Sequence, residues 1–157
     1  MAGVVNLSQT REQVLFGKDS VIIQKHIADI PAGRALDTTG VTEEVLYAGH
    51  PIITDGNGNY KPLAVNTVDG VKSYGQKPEG WNYAGILYRS IQTKRPSASI
   101  LVAGVVNDAA VEIPYGDHKA AIKSAIPGII FVKDEVADPT NAGSDESESA
   151  SASESES

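Results

Sequence analysis

Residues 51–65 read Pro-Ile-Ile-Thr-Asp-Gly-Asn-Gly-Asn-Tyr-Lys-Pro-Leu-Ala-Val. Two short apolar runs flank Asp55-Gly-Asn-Gly-Asn59, in which Asp-Gly and Asn-Gly supply the left-handed backbone conformations of a turn, so the stretch predicts a β-hairpin. Pro62 has no N–H to give to a strand ladder, and this places the second arm at the edge of a sheet.

Outward from the hairpin, strand signals dominate. Val21, Ile23, Lys25 and Ile27 alternate with Ile22, Gln24 and His26, which predicts a half-buried strand from Ser20 that Pro31-Ala-Gly33 breaks. Asp69-Gly70 and residues 73–80 read as a long irregular connection. After it come the three most apolar segments, 83–88, 99–106 and 128–132, which are short, bounded and rich in β-branched residues. Such runs are expected to be the core strands of the sheet. Between the last two, Asp117 is placed to cap one short helix, residues 117–126, that Pro127-Gly128 ends. The expected fold class is therefore mainly β, a β-rich α+β domain of small sandwich or barrel-like form.

The ends differ from the body. Residues 1–19 read as an N-terminal arm, and two readings of it stay open: a short helix from Ser8 to Phe16 that Gly17 stops, or an extended arm that orders against a partner. Residues 20–137 form the β-rich domain. Residues 138–157, almost entirely serine, alanine and acid, have no large apolar side chain to offset the cost of ordering and are expected to be a disordered tail.

Charge follows the same division. Six of the 20 acids lie in the tail, which leaves 14 against the 13 lysines and arginines of residues 1–137. The body is nearly neutral and carries no basic stripe, so direct nucleic-acid binding is disfavoured. With no cysteine, disulfides and thiolate chemistry are excluded. No apolar run approaches the ~20 residues of a membrane span, and the first residues lack the pattern of an export signal, so a soluble product without a membrane partner is expected.

A search for reactive constellations returns structural readings. Asp55, Asn57 and Asn59 have the opening spacing of a calcium loop, but Tyr60 stands where a glycine is needed and Asn66 where a bidentate glutamate belongs. His26, His50 and His118 are scattered and fit no metal spacing. Asp117-His118 lacks a nucleophile motif, the glycines form no phosphate cradle, and Glu43 and Glu44 would point to opposite faces of a strand. Trp81, Tyr83 and Tyr88 have too few cations around them for a base-stacking platform, so buried or interface aromatics are expected. No catalytic, cofactor or metal residue is nominated, and no enzyme is expected.

The order of segments from Pro31 to Val136 resembles the lambda-type bacteriophage head decoration proteins. The matching elements are the hairpin Gly49-His-Pro-Ile-Ile-Thr-Asp55 with Tyr60-Lys-Pro-Leu63, then Tyr83-Ala-Gly-Ile-Leu87 and Ile100-Leu-Val-Ala-Gly104. Ala110-Val-Glu-Ile-Pro114 as a second apolar strand, a Lys-Ala-rich helix and Ile129-Ile-Phe-Val132 complete the order. The chain departs from the family in its longer N-terminal segment, in an insertion around residues 67–82 and in its acidic tail.

The resemblance implies a non-enzymatic virion protein without cofactors. It would sit as a homotrimer on the outer surface of a tailed-phage capsid, with the major capsid protein as partner, and cement the shell. Through the family's arm, it also implies that Val4, Val5, Asn6, Leu7, Val14, Leu15 and Phe16 contact the shell by strand addition. The alternatives are a head-fibre base or other virion appendage subunit, and a carbohydrate or cell-surface module that would use Trp81, Tyr83, Tyr88 and Tyr115.

Overall fold

A computed structural model describes residues 17–132. The elements are α1 (Asp19–Ile22), β1 (Ile23–Asp29), β2 (Arg34–Ala35), β3 (Val45–Leu46), β4 (Pro51–Thr54), β5 (Tyr60–Pro62) and β6 (Val65–Val68). There follow β7 (Val71–Tyr74), β8 (Asn82–Leu87), β9 (Ile91–Gln92), β10 (Ser97–Ala98), β11 (Ile100–Val106), α2 (His118–Ala125) and β12 (Ile129–Phe131). The domain is mainly β, a β-rich α+β fold.

One six-stranded sheet organises it, in the order β1-β11-β8-β4-β5 with β12 also beside β11. The hairpin read from residues 51–65 is present, pairing Ile52 with Pro62, Ile53 with Lys61 and Thr54 with Tyr60. Gly56 and Gly58 turn it at φ 82° and 92°, and β5 is an edge strand. The three apolar segments supply β8, β11 and β12. β12 runs parallel to β11, a pairing that needs a crossover connection, and α2 provides it.

These strands read as continuous apolar runs because both faces of the sheet are covered. Ile53, Ile86 and Leu101 point into a core shared with Ile122 and Ile126 at α2 and with Phe131. Their neighbours Ile52, Leu87 and Ile100 point the other way, into a second core with Leu36, Leu46 and Ala98. Two small ribbons, β2 with β10 and β3 with β9, build the layer over that second face. The result is a layered, sandwich-like arrangement. At Gly104, where β1 crosses closest, a Cβ would lie 2.3 Å from the Lys25 carbonyl oxygen, so only glycine fits.

Four expectations are corrected. The strand expected from Ser20 begins at Ile23, and residues 19–22 form the short helix α1. Its alternation is not half-buried: β1 buries Ile23, while Ile27 is 55% exposed. Residues 65–74 are a two-stranded ribbon, β6 with β7, turned by Asp69 and Gly70 at φ 51° and 77°; the positive pair is that of a type I′ turn. Ala110–Pro114 lies outside every strand, although Ile113 is buried.

Candidate interaction surfaces

Titratable groups inside the domain are engaged in structural pairs. His50 is buried, with Nε2 2.8 Å from the Leu63 carbonyl, so this nitrogen carries the proton and donates it. Burial lowers its pKa to about 4, against the weaker opposing effects of that hydrogen bond and of Glu43. Tyr74 packs edge-on to His50 at 5.1 Å on one side and to His118 at 6.2 Å on another. The fold thus brings together two histidines that are distant in sequence, with a ring between them rather than a shared point where a ligand would sit.

His118 Nδ1 pairs with the Tyr83 hydroxyl at 2.7 Å, and the Tyr115 hydroxyl donates to the Gly49 carbonyl at 2.7 Å. Burial raises the pKa of Tyr74, Tyr83 and Tyr115 above the ordinary phenol value. His26, on β1, lies 3.5 Å from Asp29 and 4.9 Å from the Tyr88 ring.

The acids have local explanations too. Asp55 accepts from the backbone N–H groups of Asn57 and Asn59 and from the Asn59 side chain, at 2.8, 3.3 and 2.6 Å. Those bonds hold its pKa below the usual carboxylate value and close the hairpin turn as an Asx motif. Glu43 and Glu44 precede β3 and lie in no strand. Asp117 occupies the N-cap position of α2, yet its side chain makes no capping hydrogen bond. Among the described residues no three His, Asp or Glu side chains are grouped to hold a metal ion. No helix among them is long and apolar enough to cross a membrane.

The aromatic set of the glycan reading is not a stacking face. Tyr83 and Tyr115 are buried, and the Lys61 ammonium lies 4.0 Å from the Trp81 ring centroid. Tyr88 is half-buried between His26 and Arg89.

The outer surface has three notable regions. At the root of the N-terminal segment, Asp19 accepts from the Ser90 backbone N–H at 2.9 Å and from its hydroxyl at 2.5 Å. The same buried hydroxyl accepts from the Ala48 N–H at 3.0 Å. Sequence reading missed this latch, which joins positions 71 residues apart. Beside it Asp19, Ser20, Ile23, Tyr88 and Arg89 line a depression of about 240 Å³.

The second region is β1, an edge strand among the described residues, where register shifts fall between Ile23 and Lys25, His26 and Ala28, and Ala28 and Asp29. Such irregularities twist an edge away from strand addition. The opposite edge is closed as well, since Pro62 lacks a donor and the Asp37 N–H takes the Tyr60 carbonyl at 2.8 Å.

The third region is the β6–β7 ribbon and a cleft at its root. The cleft is about 230 Å³, lined by Asp37, Val41, Leu46, Lys61, Leu63 and Val65 among others. That is smaller than the roughly 300–1,000 Å³ of small-molecule sites.

The seven nominated contact residues, Val4, Val5, Asn6, Leu7, Val14, Leu15 and Phe16, lie outside the described residues, as do the Ser8 cap and the tail 138–157. No family model, curated protein or solved structure matches the chain.

Proposed function

We propose that the protein is a structural virion component, a head decoration protein that binds the outer surface of a tailed-phage capsid as a homotrimer and stabilises the shell. The observation that carries this reading is the packing of the segments quoted for the resemblance other than Ala110–Pro114, which lies outside every strand. The hairpin of β4 and β5, then β8, β11 and β12, form one contiguous sheet, and α2 lies on it. Supporting it further, the polar groups inside the domain hold the fold together and leave surface shape as the means of action. Binding is then collective: many copies, each bridging neighbouring capsomers, add modest contacts into a large gain.

In this reading residues 1–16 add to a sheet of the major capsid protein, and backbone hydrogen bonds give the affinity. The Asp19–Ser90 latch positions the root of that arm on the domain. The arm is the chain's donor for strand addition, because both edges of the main sheet are obstructed. The acidic tail would face outward and keep particles apart by like charge.

The test is deletion of residues 1–16. The expected product is a folded trimer that no longer attaches to undecorated heads in co-sedimentation. Attachment equal to that of the full chain overturns the arm's role.

A further inference from the structure

Asn57 is the one asparagine of the chain that a glycine follows; Asn6, Asn59, Asn66, Asn82, Asn107 and Asn141 precede larger residues. The Asn57-Gly58 pair sits in the turn of the β4–β5 hairpin, where both residues are exposed. Hydrogen bonding sets this asparagine apart from its neighbour. Asn59 is tied down, because its backbone N–H and its side-chain amide both donate to Asp55, at 3.3 and 2.6 Å. Asn57 gives Asp55 only its backbone N–H, at 2.8 Å. Among the described residues no hydrogen bond engages the Asn57 side chain or the Gly58 N–H.

These two groups can therefore react with each other. Joining the Gly58 nitrogen to the Asn57 side-chain carbonyl carbon closes a five-membered ring. A Cβ on the following residue crowds such a closure, but Gly58 has none, and an atom built there would meet nothing within 4 Å. Its φ of 92° also marks a backbone position that suits glycine and few other residues.

We propose that Asn57-Gly58 is a self-modification site, at which the chain loses ammonia and converts to aspartyl and isoaspartyl forms. The Gly58 amide gives its proton to hydroxide, and its nitrogen attacks the Asn57 side-chain carbonyl carbon. As that bond forms, the bond to the side-chain nitrogen breaks, and the nitrogen takes a proton from water and leaves as ammonia. The cyclic imide then adds water at either carbonyl. Opening at the side-chain carbonyl gives aspartate; opening at the main-chain carbonyl gives isoaspartate, in which the chain runs through the former side chain. Nothing is oxidised or reduced, and either product carries one more negative charge than the parent.

Asp55-Gly56 has the same glycine but is held back. Ring closure there must expel the oxygen of a neutral carboxyl group, whereas the bonds from the Asn59 side chain and from the Asn57 and Asn59 N–H groups keep Asp55 ionised. Isoaspartate at position 57 lengthens the backbone by one carbon between the two N–H groups that Asp55 accepts. The product thus loses the Asx motif that closes the hairpin.

The full-length protein is aged at neutral and at mildly alkaline pH, and its peptides are mapped by mass spectrometry and chromatography. Residue 57 is expected to convert to both acid forms, faster at the higher pH. Its rate should exceed those at Asn59 and Asn66 by about tenfold or more, a barrier difference of about 1.4 kcal/mol. It should also lie within about tenfold of the rate in a synthetic peptide of residues 52–62, since the fold leaves the reacting groups unengaged. An isoaspartyl-specific methyltransferase with S-adenosylmethionine should label the peptide that carries residue 57. Asn57→Gln, which alters an exposed side chain without a partner, should keep the parent's melting temperature and lose that label. Persistence of the amide at residue 57 while the synthetic peptide converts overturns the proposal, as does conversion of Asn59 at an equal rate. Equal labelling of the same peptide in Asn57→Gln would place the reaction at Asp55 and overturn it too.

Discussion

Burial of His50 makes the domain's stability depend on pH in a direction that can be worked out. In the unfolded chain the imidazole titrates near 6.5, whereas in the fold its pKa is lowered to about 4. Between those values the unfolded state binds a proton that the native state refuses. The stabilisation is fully present above pH 6.5 and is lost as the pH falls towards 4. At about 1.4 kcal/mol per unit, the loss from this one group is about 3 kcal/mol. Urea unfolding followed from pH 7 to 4 should show that decline, and His50→Gln should flatten it. An equal slope in the variant would mean that other groups cause it. The sequence marked His50 only as a scattered histidine, because nothing local reveals that the Leu63 carbonyl and the Tyr74 ring would meet it. Asp55 was legible, since the Asx motif it closes is built from residues two and four positions away.

Elements that announce themselves in sequence are those whose cause is local or whose burial is complete. The β4–β5 hairpin was readable from its glycines and from Pro62. β8, β11 and β12 were readable because strands covered on both faces become continuous apolar runs. The β6–β7 ribbon was not, because its exposed strands carry Asn66, Thr67, Lys72 and Ser73 and show no apolar alternation; only Asp69-Gly70 marked it. Val111 and Ile113 mimic a strand by their spacing, yet no neighbouring strand pairs with them. The Val-Ile-Ile run at 21–23 hides α1, whose position depends on the distant Ser90.

Two predictions separate local from distant causes. Asp117→Ala should change stability by less than about 0.5 kcal/mol in urea, below the ~1 kcal/mol of a working cap, because its side chain makes no cap bond. Asp19→Ala should cost about 1–3 kcal/mol, because it leaves the buried Ser90 donors without their acceptor. If the two losses came out in the reverse order, helix capping and not the latch would be holding these elements.

In the proposed role the whole molecule acts through its surfaces. The chain's net charge of −7 arises mostly in the tail, so the body can approach a neighbouring copy or a shell without strong like-charge repulsion. Obstructed sheet edges discourage indiscriminate strand pairing. Exposed features of the described residues include the arm root beside the Asp19–Ser90 latch and the apolar tip of the β6–β7 ribbon. The homotrimer of the proposed role rests on the family resemblance alone. Cryo-electron microscopy of purified virus particles would decide whether the protein decorates a shell. The account predicts threefold-symmetric protrusions on the outside of the shell that fit three copies of this fold, in numbers comparable to the shell protein; particles whose outer surface carries no such density would contradict it.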